Sequence, residues 1–390
     1  LMANKDLKWE TTITRNIGVD FGFFNSRLTG TIDAYWNTTK DLLMKTAIPG
    51  ITGFTSTYAN VGQTSNKGIE IALQGVLVKT RDWNVTAGFN INFNRGKVDK
   101  LADNVTGLYG TEWATSSTFP KSDYVLKEGR PVGLVRGLTA DGFYTTDDFT
   151  YENGVYTLKE GVADVSSAVF PNYHLHNGMN ERPAGQLAYP GMAKFKDLND
   201  DGIINDDDVD VIGDMTPVHT GGFNINATYK NFDLGLYFNW SYGNEIYNVN
   251  KLAALYGYKE GAVYENKLSI VKDCYKIYDV VNGELVALTT PEQLNAANAN
   301  AKLPLAYSEN GYVSTLGIED GSYLRLNTLT LGYTLPKSML QKAGISNLRV
   351  YGSIYNVFTI TGYSGIDAEV STSTSTKTYP QLGMDWGTYP

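Results

Sequence analysis

The sequence predicts an all-β chain, a wall of antiparallel strands of the transmembrane β-barrel class with long loops at one end. Three observations carry this prediction: stretches in which apolar and small or polar residues strictly alternate, connections that are short and long in turn, and a Gly- and Tyr-rich composition low in charge.

Near the start, Ile17, Val19, Phe21 and Phe23 oppose Asn16, Gly18, Asp20 and Gly22. After a tight turn at Asn25-Ser26, Leu28, Ile32 and Trp36 oppose Thr29, Asp33 and Asn37. Ile69, Ile71 and Leu73 then alternate with Glu70, Ala72 and Gln74, and Lys79-Thr80-Arg81 makes the next turn. The clearest run spans 83–94, where Trp83, Val85, Ala87, Phe89, Ile91 and Phe93 share one face and Asn84, Thr86, Gly88, Asn90, Asn92 and Asn94 the other. Phe223, Ile225 and Tyr229 oppose Asn224, Asn226 and Lys230. Past a turn at Asn231, Phe232, Leu234, Leu236, Phe238 and Trp240 oppose Asp233, Gly235 and Asn239. Leu329, Leu331, Tyr333 and Leu335 share a face, but Leu324 and Leu326 fall on the other, which predicts a bulge near Asn327. Leu348, Val350, Ile354 and Phe358 close the set. These are about eight strands of roughly ten residues, longer than soluble sheets use.

The connections separate a barrel from its rivals. Asn25-Ser26, Lys79-Thr80-Arg81 and Asn231 are short, and the link 336–347 is moderate. Between them lie long stretches, about 40–67, 96–221 and 243–321. Short turns on one side and long loops on the other mark an outer-membrane barrel, whereas a soluble sandwich spreads its loop lengths more evenly. An ordinary antiparallel sheet with one wet face is the competing reading of the alternation alone.

Composition narrows the class. Charged residues are 19% and the formal charge is −9, which argues against nucleic acid, since phosphate backbones need a basic patch. No apolar run is long enough for a membrane helix, and a barrel needs none. Cys274 stands alone, so no intrachain disulfide forms, and it reads as a packed small hydrophobe. The first residues, Leu1-Met2-Ala3-Asn4, lack the pattern of a signal peptide, and both ends read as cuts within a longer protein.

Several phrases resemble one family over nearly the whole chain. They include Leu7-Lys8-Trp9-Glu10-Thr11-Thr12 before Asn16-Ile17-Gly18-Val19-Asp20-Phe21-Gly22, Tyr58-Ala59-Asn60-Val61-Gly62, and Asn66-Lys67-Gly68-Ile69-Glu70. Further phrases are Lys196-Asp197-Leu198-Asn199-Asp200-Asp201-Gly202, Thr220-Gly221-Gly222-Phe223 and Ser241-Tyr242-Gly243-Asn244. Late in the chain come Tyr323-Leu324-Arg325-Leu326, Leu331-Gly332-Tyr333-Thr334-Leu335-Pro336, Leu348-Arg349-Val350-Tyr351 and Asn356-Val357-Phe358-Thr359. In these the sequence resembles the SusC/RagA family of TonB-dependent outer-membrane transporters. The resemblance implies a barrel of roughly 22 strands around an N-terminal plug, capped by a SusD-like surface lipoprotein. Residues 1–390 then correspond to the C-terminal portion of the barrel. Against the family pattern the plug, the early strands and a final strand after Tyr389-Pro390 are missing. Eight strands alone would leave two unpaired edges in hydrocarbon, so the remaining wall is expected elsewhere in the protein.

The strongest local motif is the acidic stretch 197–208. Asp197, Asn199 and Asp201 hold positions one, three and five of a calcium loop. Gly202 takes the sixth, the Ile203 carbonyl the seventh and Asp208 the twelfth, where Glu is usual. Calcium is therefore expected as a structural ion, against the alternative of a solvated acidic turn. His174, His176 and His219 lack zinc-site spacing, and no nucleophile, phosphate-loop or metalloprotease motif is present, so no enzyme is expected. Trp113, Tyr144, Tyr173, Tyr256 and Tyr258 lie in the long loops and are the candidate substrate contacts, since flat aromatic faces suit sugar rings and peptide side chains alike. Packing within the loops is the competing reading for each. Residues 291–301 read as a short helix and 371–378 as a Ser/Thr-rich loop tip.

The resemblance implies TonB-dependent import of an oligosaccharide or oligopeptide across the outer membrane. The partners it implies are the lid lipoprotein, the TonB complex through the missing N-terminal region, and outer-membrane lipid. A passive porin and a soluble extracellular β-sheet binding protein are the alternatives.

Overall fold

A computed structural model describes residues 3–47, 53–54, 56–101, 105–116, 118–170, 182–256, 268–306, 311–341, 344–370 and 381–385. Eight strands pair in chain order into one antiparallel sheet. They are β1 (Thr11–Phe23), β2 (Leu28–Ala47), β3 (Ser56–Lys79), β4 (Trp83–Lys100), β5 (His219–Tyr229), β6 (Phe232–Tyr242), β7 (Tyr323–Thr334) and β8 (Arg349–Thr361). Each run expected from alternation is one of these strands. The expected bulge is present: Tyr237 opposes Thr328 and Phe238 opposes Leu326, which leaves Asn327 outside the register. The extra residue returns Leu329 and Leu331 to the face that Leu324 and Leu326 occupy.

The register assembles each apolar set into a continuous band. Val19 pairs with Ile32, Ile32 with Ile71, and Ile71 with Ile91. The same face continues through Phe89, Phe223 and Phe238 to Leu326 and Phe358. Much of this face is exposed, with Val19 at 60%, Ile32 at 43% and Phe358 at 45%, while Leu326, near the loop end, is buried. An apolar face this wide has no place in water and fits hydrocarbon. Along β4 the band runs from Trp83 to Phe93. At ~3.3 Å per residue and a tilt of ~45° it covers roughly 23 Å, the height of an outer-membrane apolar band. Aromatic pairs border the short-turn end, Trp83 on Tyr229 at 4.4 Å and Phe232 on Tyr333 at 4.7 Å between centroids.

Two of the short turns are built by left-handed residues. Phe24, Asn25 and Ser26 all have positive φ between β1 and β2, and Lys230 has it between β5 and β6. The β7–β8 link holds a single helical turn, Lys337–Leu340. One expectation is corrected at the opposite end. The stretch 40–67 is mostly strand, because β2 continues to Ala47 and β3 begins at Ser56. Past the apolar band the alternation stops, although backbone pairing continues across the shifted register near Asp41.

The core lies outside the sheet. The large buried cluster, including Tyr124, Tyr144, Tyr156, Tyr189, Tyr247, Leu252 and Val313, comes from the connections between β4 and β5 and between β6 and β7, with Met384 beyond β8. These segments form one loop module of short strands and small helices, among them Val249–Tyr256 and Pro291–Asn298. The latter is the expected helix in 291–301, capped by Thr290 and Gln293 with Pro291 in its first turn.

Candidate functional site

The face opposite the apolar band is polar. Asp33 of β2, Glu70 of β3 and Asn92 of β4 form one cross-strand row, and Tyr35, Gly68 and Asn94 the next. The Tyr35 hydroxyl donates to Asn94 Oδ1 at 3.2 Å, and the missing side chain of Gly68 makes room for the ring. Further along, Tyr237 donates to Asn226 Oδ1 at 3.1 Å, Asn226 donates to Asn224 Oδ1 at 3.0 Å, and Thr330 shares a hydrogen bond with Ser353. Amide and hydroxyl groups of this kind suit the water-facing interior of a barrel. Where this face reaches the loop module, Arg325 of β7 is buried. It donates to Asp367 through Nη2, to Glu369 Oε2 at 2.8 Å and to Thr359 Oγ1 at 3.0 Å.

The loop module contains a cavity of about 450 Å³ between Thr118, Lys121, Ser122, Arg136, Ser167 and Asp206. Arg136 donates to Ser122 Oγ at 2.8 Å and lies 4.8 Å from the Tyr109 ring centre. Nearby, the fully buried Asp123 accepts from the backbone amides of Glu112, Trp113 and Ala114 at 2.8–2.9 Å. Burial raises its carboxyl above the ordinary range, and those amides offset only part of the rise.

The structure does not gather the expected aromatic contacts at one place. Tyr144 is fully buried, its hydroxyl donates to the Ala163 carbonyl at 2.6 Å, and Lys194 lies over its ring. Its face is used for packing, the competing reading for these aromatic residues. Trp113 is half-buried and packs edge-on against Tyr247. Tyr256 ends the helix Val249–Tyr256, while Tyr173 and Tyr258 lie outside the described residues. Residues 371–378, His174 and His176 also lie outside them. His219 accepts from Trp240 Nε1 at 3.0 Å and stacks on Tyr242. Cys274 is buried, and burial pushes its thiol up to about 11, in keeping with a packing residue.

The acidic stretch 197–208 forms a tight turn. Asp197 accepts from the amides of Asp201 at 3.3 Å and Gly202 at 2.7 Å, and Asn199 Oδ1 accepts from the Asp201 amide at 3.2 Å. Asp200 and Gly202 take positive φ, as the reversal requires. The Ile203 carbonyl accepts from Asn205 Nδ2 at 3.1 Å. Asp208 is fully buried, with one oxygen on the Leu198 amide and the other on the Asn205 amide. Among the described residues no three His, Cys, Asp or Glu side chains converge as a ready-made metal site. A calcium ion at this turn would draw oxygens from these amides.

Sequence reasoning missed a set of cations. Arg15, Lys67 and Arg95 stand on the apolar parity of β1, β3 and β4, and the register places them in one row. Their parity is visible in each strand, but their alignment requires the pairing.

A model of the family described as TonB dependent receptor-like, beta-barrel matches residues 2–357. The chain is 30% identical to TonB-dependent receptor P3 of Formosa agariphila, over 100% of this chain and 34% of that protein. It is 28% identical to TonB-dependent receptor SusC of Bacteroides thetaiotaomicron, over 97% of this chain and 31% of that protein. The solved structure of the RagAB peptide transporter superposes with a TM-score of 0.67 at 24% identity, over 100% of this chain and 35% of that one. The chain thus spans about a third of the length of the relatives it matches.

Proposed function

The chain belongs to the TonB-dependent receptor-like β-barrel family, an outer-membrane family, and from that premise we propose that its parent protein imports a nutrient oligomer with energy relayed by TonB. The cargo class is oligopeptide or oligosaccharide. A SusD-like surface lipoprotein covers the loop module as a lid, and TonB engages parts of the protein outside these residues. Similarity to SusC and to the RagAB peptide transporter supports this reading.

The observation that carries it is the division of one sheet into three environments. One face is largely apolar and exposed, the other is lined by Asn, Thr and acidic side chains, and the described parts of the β4–β5 and β6–β7 connections pack into a module at one end. Such a wall separates lipid from a polar passage and presents a structured mouth to the exterior. The family is one of transporters and receptors.

The test is uptake of labelled oligopeptides and oligosaccharides by unaltered cells, by a strain lacking the gene and by a strain that keeps the gene but lacks TonB. Loss of uptake of one class in both strains supports the proposal. Uptake that depends on the gene but survives TonB loss would mean a passive porin. A full-length protein that stays soluble without detergent would mean a binding protein.

We also propose that the turn 197–208 takes calcium. The support is the oxygen spacing of Asp197, Asn199 and Asp201 and the left-handed Gly202 at the sixth position.

A further inference from the structure

Arg15 pairs with Trp36, Trp36 with Lys67, and Lys67 with Arg95, which makes a single row across β1 to β4. At ~4.8 Å between strands the row is roughly 14 Å long. Directly beneath it, toward the short turns, lies the row Ile17, Ala34, Ile69 and Phe93. The cations therefore border the apolar band on the side that faces lipid. They lie toward the long loops, the extracellular end of such a barrel.

The sign of charge here is selective. From this row down to the turns, the apolar parity of β1 to β4 carries no acidic side chain, whereas the polar parity carries Asp20, Asp33 and Glu70. A chain of formal charge −9 would not gather cations there by composition alone. Arg15, Trp36, Lys67 and Arg95 are all exposed. Among the described residues none of the three cations is ion-paired with an acid. Arg95 is held in place, donating to the carbonyls of Pro217 at 3.2 Å and Val218 at 2.8 Å. Lys97 stands one position above on the same parity and pairs with Asp99.

Like charges set opposite each other across strands repel, as Lys67 and Arg95 do, so the row is completed by an anion. We infer that Arg15, Lys67 and Arg95, with Trp36 between them, bind the phosphate-bearing headgroup of an outer-leaflet glycolipid. Arginine matches phosphate oxygens with paired donors, lysine adds a point charge, and Trp36 occupies the interface where an amphipathic ring is favoured. The lipid is favoured over free phosphate because its acyl chains cover the apolar rows directly below. This inference rests on the outer-membrane position of the chain and not on the import reading, and its test uses no transported substrate.

The full-length protein is placed in phosphatidylcholine nanodiscs doped with phosphorylated lipid A or with the same lipid A stripped of its phosphates, and retained lipid is measured by native mass spectrometry. Preference for the phosphorylated form is expected to fall by roughly tenfold in Arg15→Gln/Lys67→Gln. It is expected to persist in the charge-keeping Arg15→Lys/Lys67→Arg and in Lys79→Gln/Lys230→Gln at the opposite end. Equal retention of both lipids by the unaltered protein would overturn the inference, as would a loss that the charge-keeping variant does not restore. An equal loss in the opposite-end variant would also overturn it, because binding would then follow net charge rather than this row.

Discussion

The backbone amide of Leu198 donates to the carboxylate of Asp208 at 2.7 Å, and that carboxylate is fully buried. Its second oxygen accepts from the Asn205 amide at 2.8 Å, so one side chain closes the acidic turn from within. Asp208→Ala is expected to destabilise the turn by about 2–4 kcal/mol, because two amides lose a charged acceptor. Asp208→Asn keeps one good acceptor and should cost less. Hydrogen exchange at Leu198 and Asn205 in the full-length protein measures both, and unchanged protection in the Ala variant would contradict this role.

Calcium is a separate question at the same turn. Asp197, Asn199 and Asp201 present oxygens around one reversal, while their existing partners are mainly backbone amides. Calorimetric titration of the full-length protein should show one saturable calcium site that Asp197→Asn/Asp201→Asn abolishes. Added chelator should speed exchange across 197–208. No heat and no change in exchange would leave the turn as the self-contained hydrogen-bonded unit described above.

Two carboxyls in the loop module predict opposite responses to pH. Burial alone would raise Glu319, but hydrogen bonds from the Ser364 hydroxyl and amide and the nearby Lys251 outweigh it and hold the carboxyl below its ordinary 4.5. Its contribution to stability is present above that ordinary value and is lost as pH falls through the lowered folded value. Asp123, raised by burial above its ordinary 3.8, has the reverse sign: its contribution is present below 3.8 and is lost as pH rises through the raised value. Acidification below about pH 4.5 should therefore loosen the contacts of Ser364 first. Glu319→Gln should flatten that acid dependence of exchange near Ser364 while leaving the response near Asp123 intact.

Legibility followed the membrane. Inside the apolar band, one face of each strand meets lipid and the other a polar interior, so Trp83 to Phe93 and Phe232 to Trp240 announce themselves by alternation. The bulge at Asn327 was readable because Leu326 and Leu329 cannot share a face without it. Above the band that constraint ends, and the extensions of β2 and β3 left no period to read. The loop module was less legible because its contacts join remote segments, as when the Tyr124 hydroxyl donates to the Leu382 carbonyl at 2.6 Å. Tyr144 left two readings open for the same reason: an aromatic residue in a long connection looks available until the connection is seen to have its own core.

Gly68 tests the packing of the inner face. A Cβ there would lie 2.4 Å from the Tyr35 hydroxyl and 2.6 Å from the Phe93 carbonyl. The ring could swing away, but the backbone oxygen could not. Gly68→Val is expected to displace Tyr35 from Asn94 and to destabilise the sheet by about 1–3 kcal/mol. Gly75→Ala, whose added carbon meets nothing closer than 3.8 Å, is the matched control. Unfolding temperature in detergent should fall for Gly68→Val and hold for Gly75→Ala.

Arg325 ties β7 to the segment after β8 through two acidic partners, Asp367 and Glu369, on residues 362–370. The guanidinium is almost fully buried, whereas Glu369 is about half exposed, so Asp367 is the partner whose loss should matter more. Truncation to Arg325→Ala removes the cation and leaves the less exposed carboxylate without its counter-charge, a change that typically costs about 3–5 kcal/mol at buried pairs and less where solvent reaches the acid. Arg325→Lys keeps the charge but cannot reach Thr359, Asp367 and Glu369 together from one ammonium, so an intermediate loss is expected. Limited proteolysis of the full-length protein reads the effect directly. Cleavage within 362–370 should accelerate strongly in the Ala variant, modestly in the Lys variant and least in Glu369→Gln. Cleavage in the Lys variant no faster than in the unaltered protein would show that planar, multi-partner geometry is irrelevant and that charge alone holds the segment.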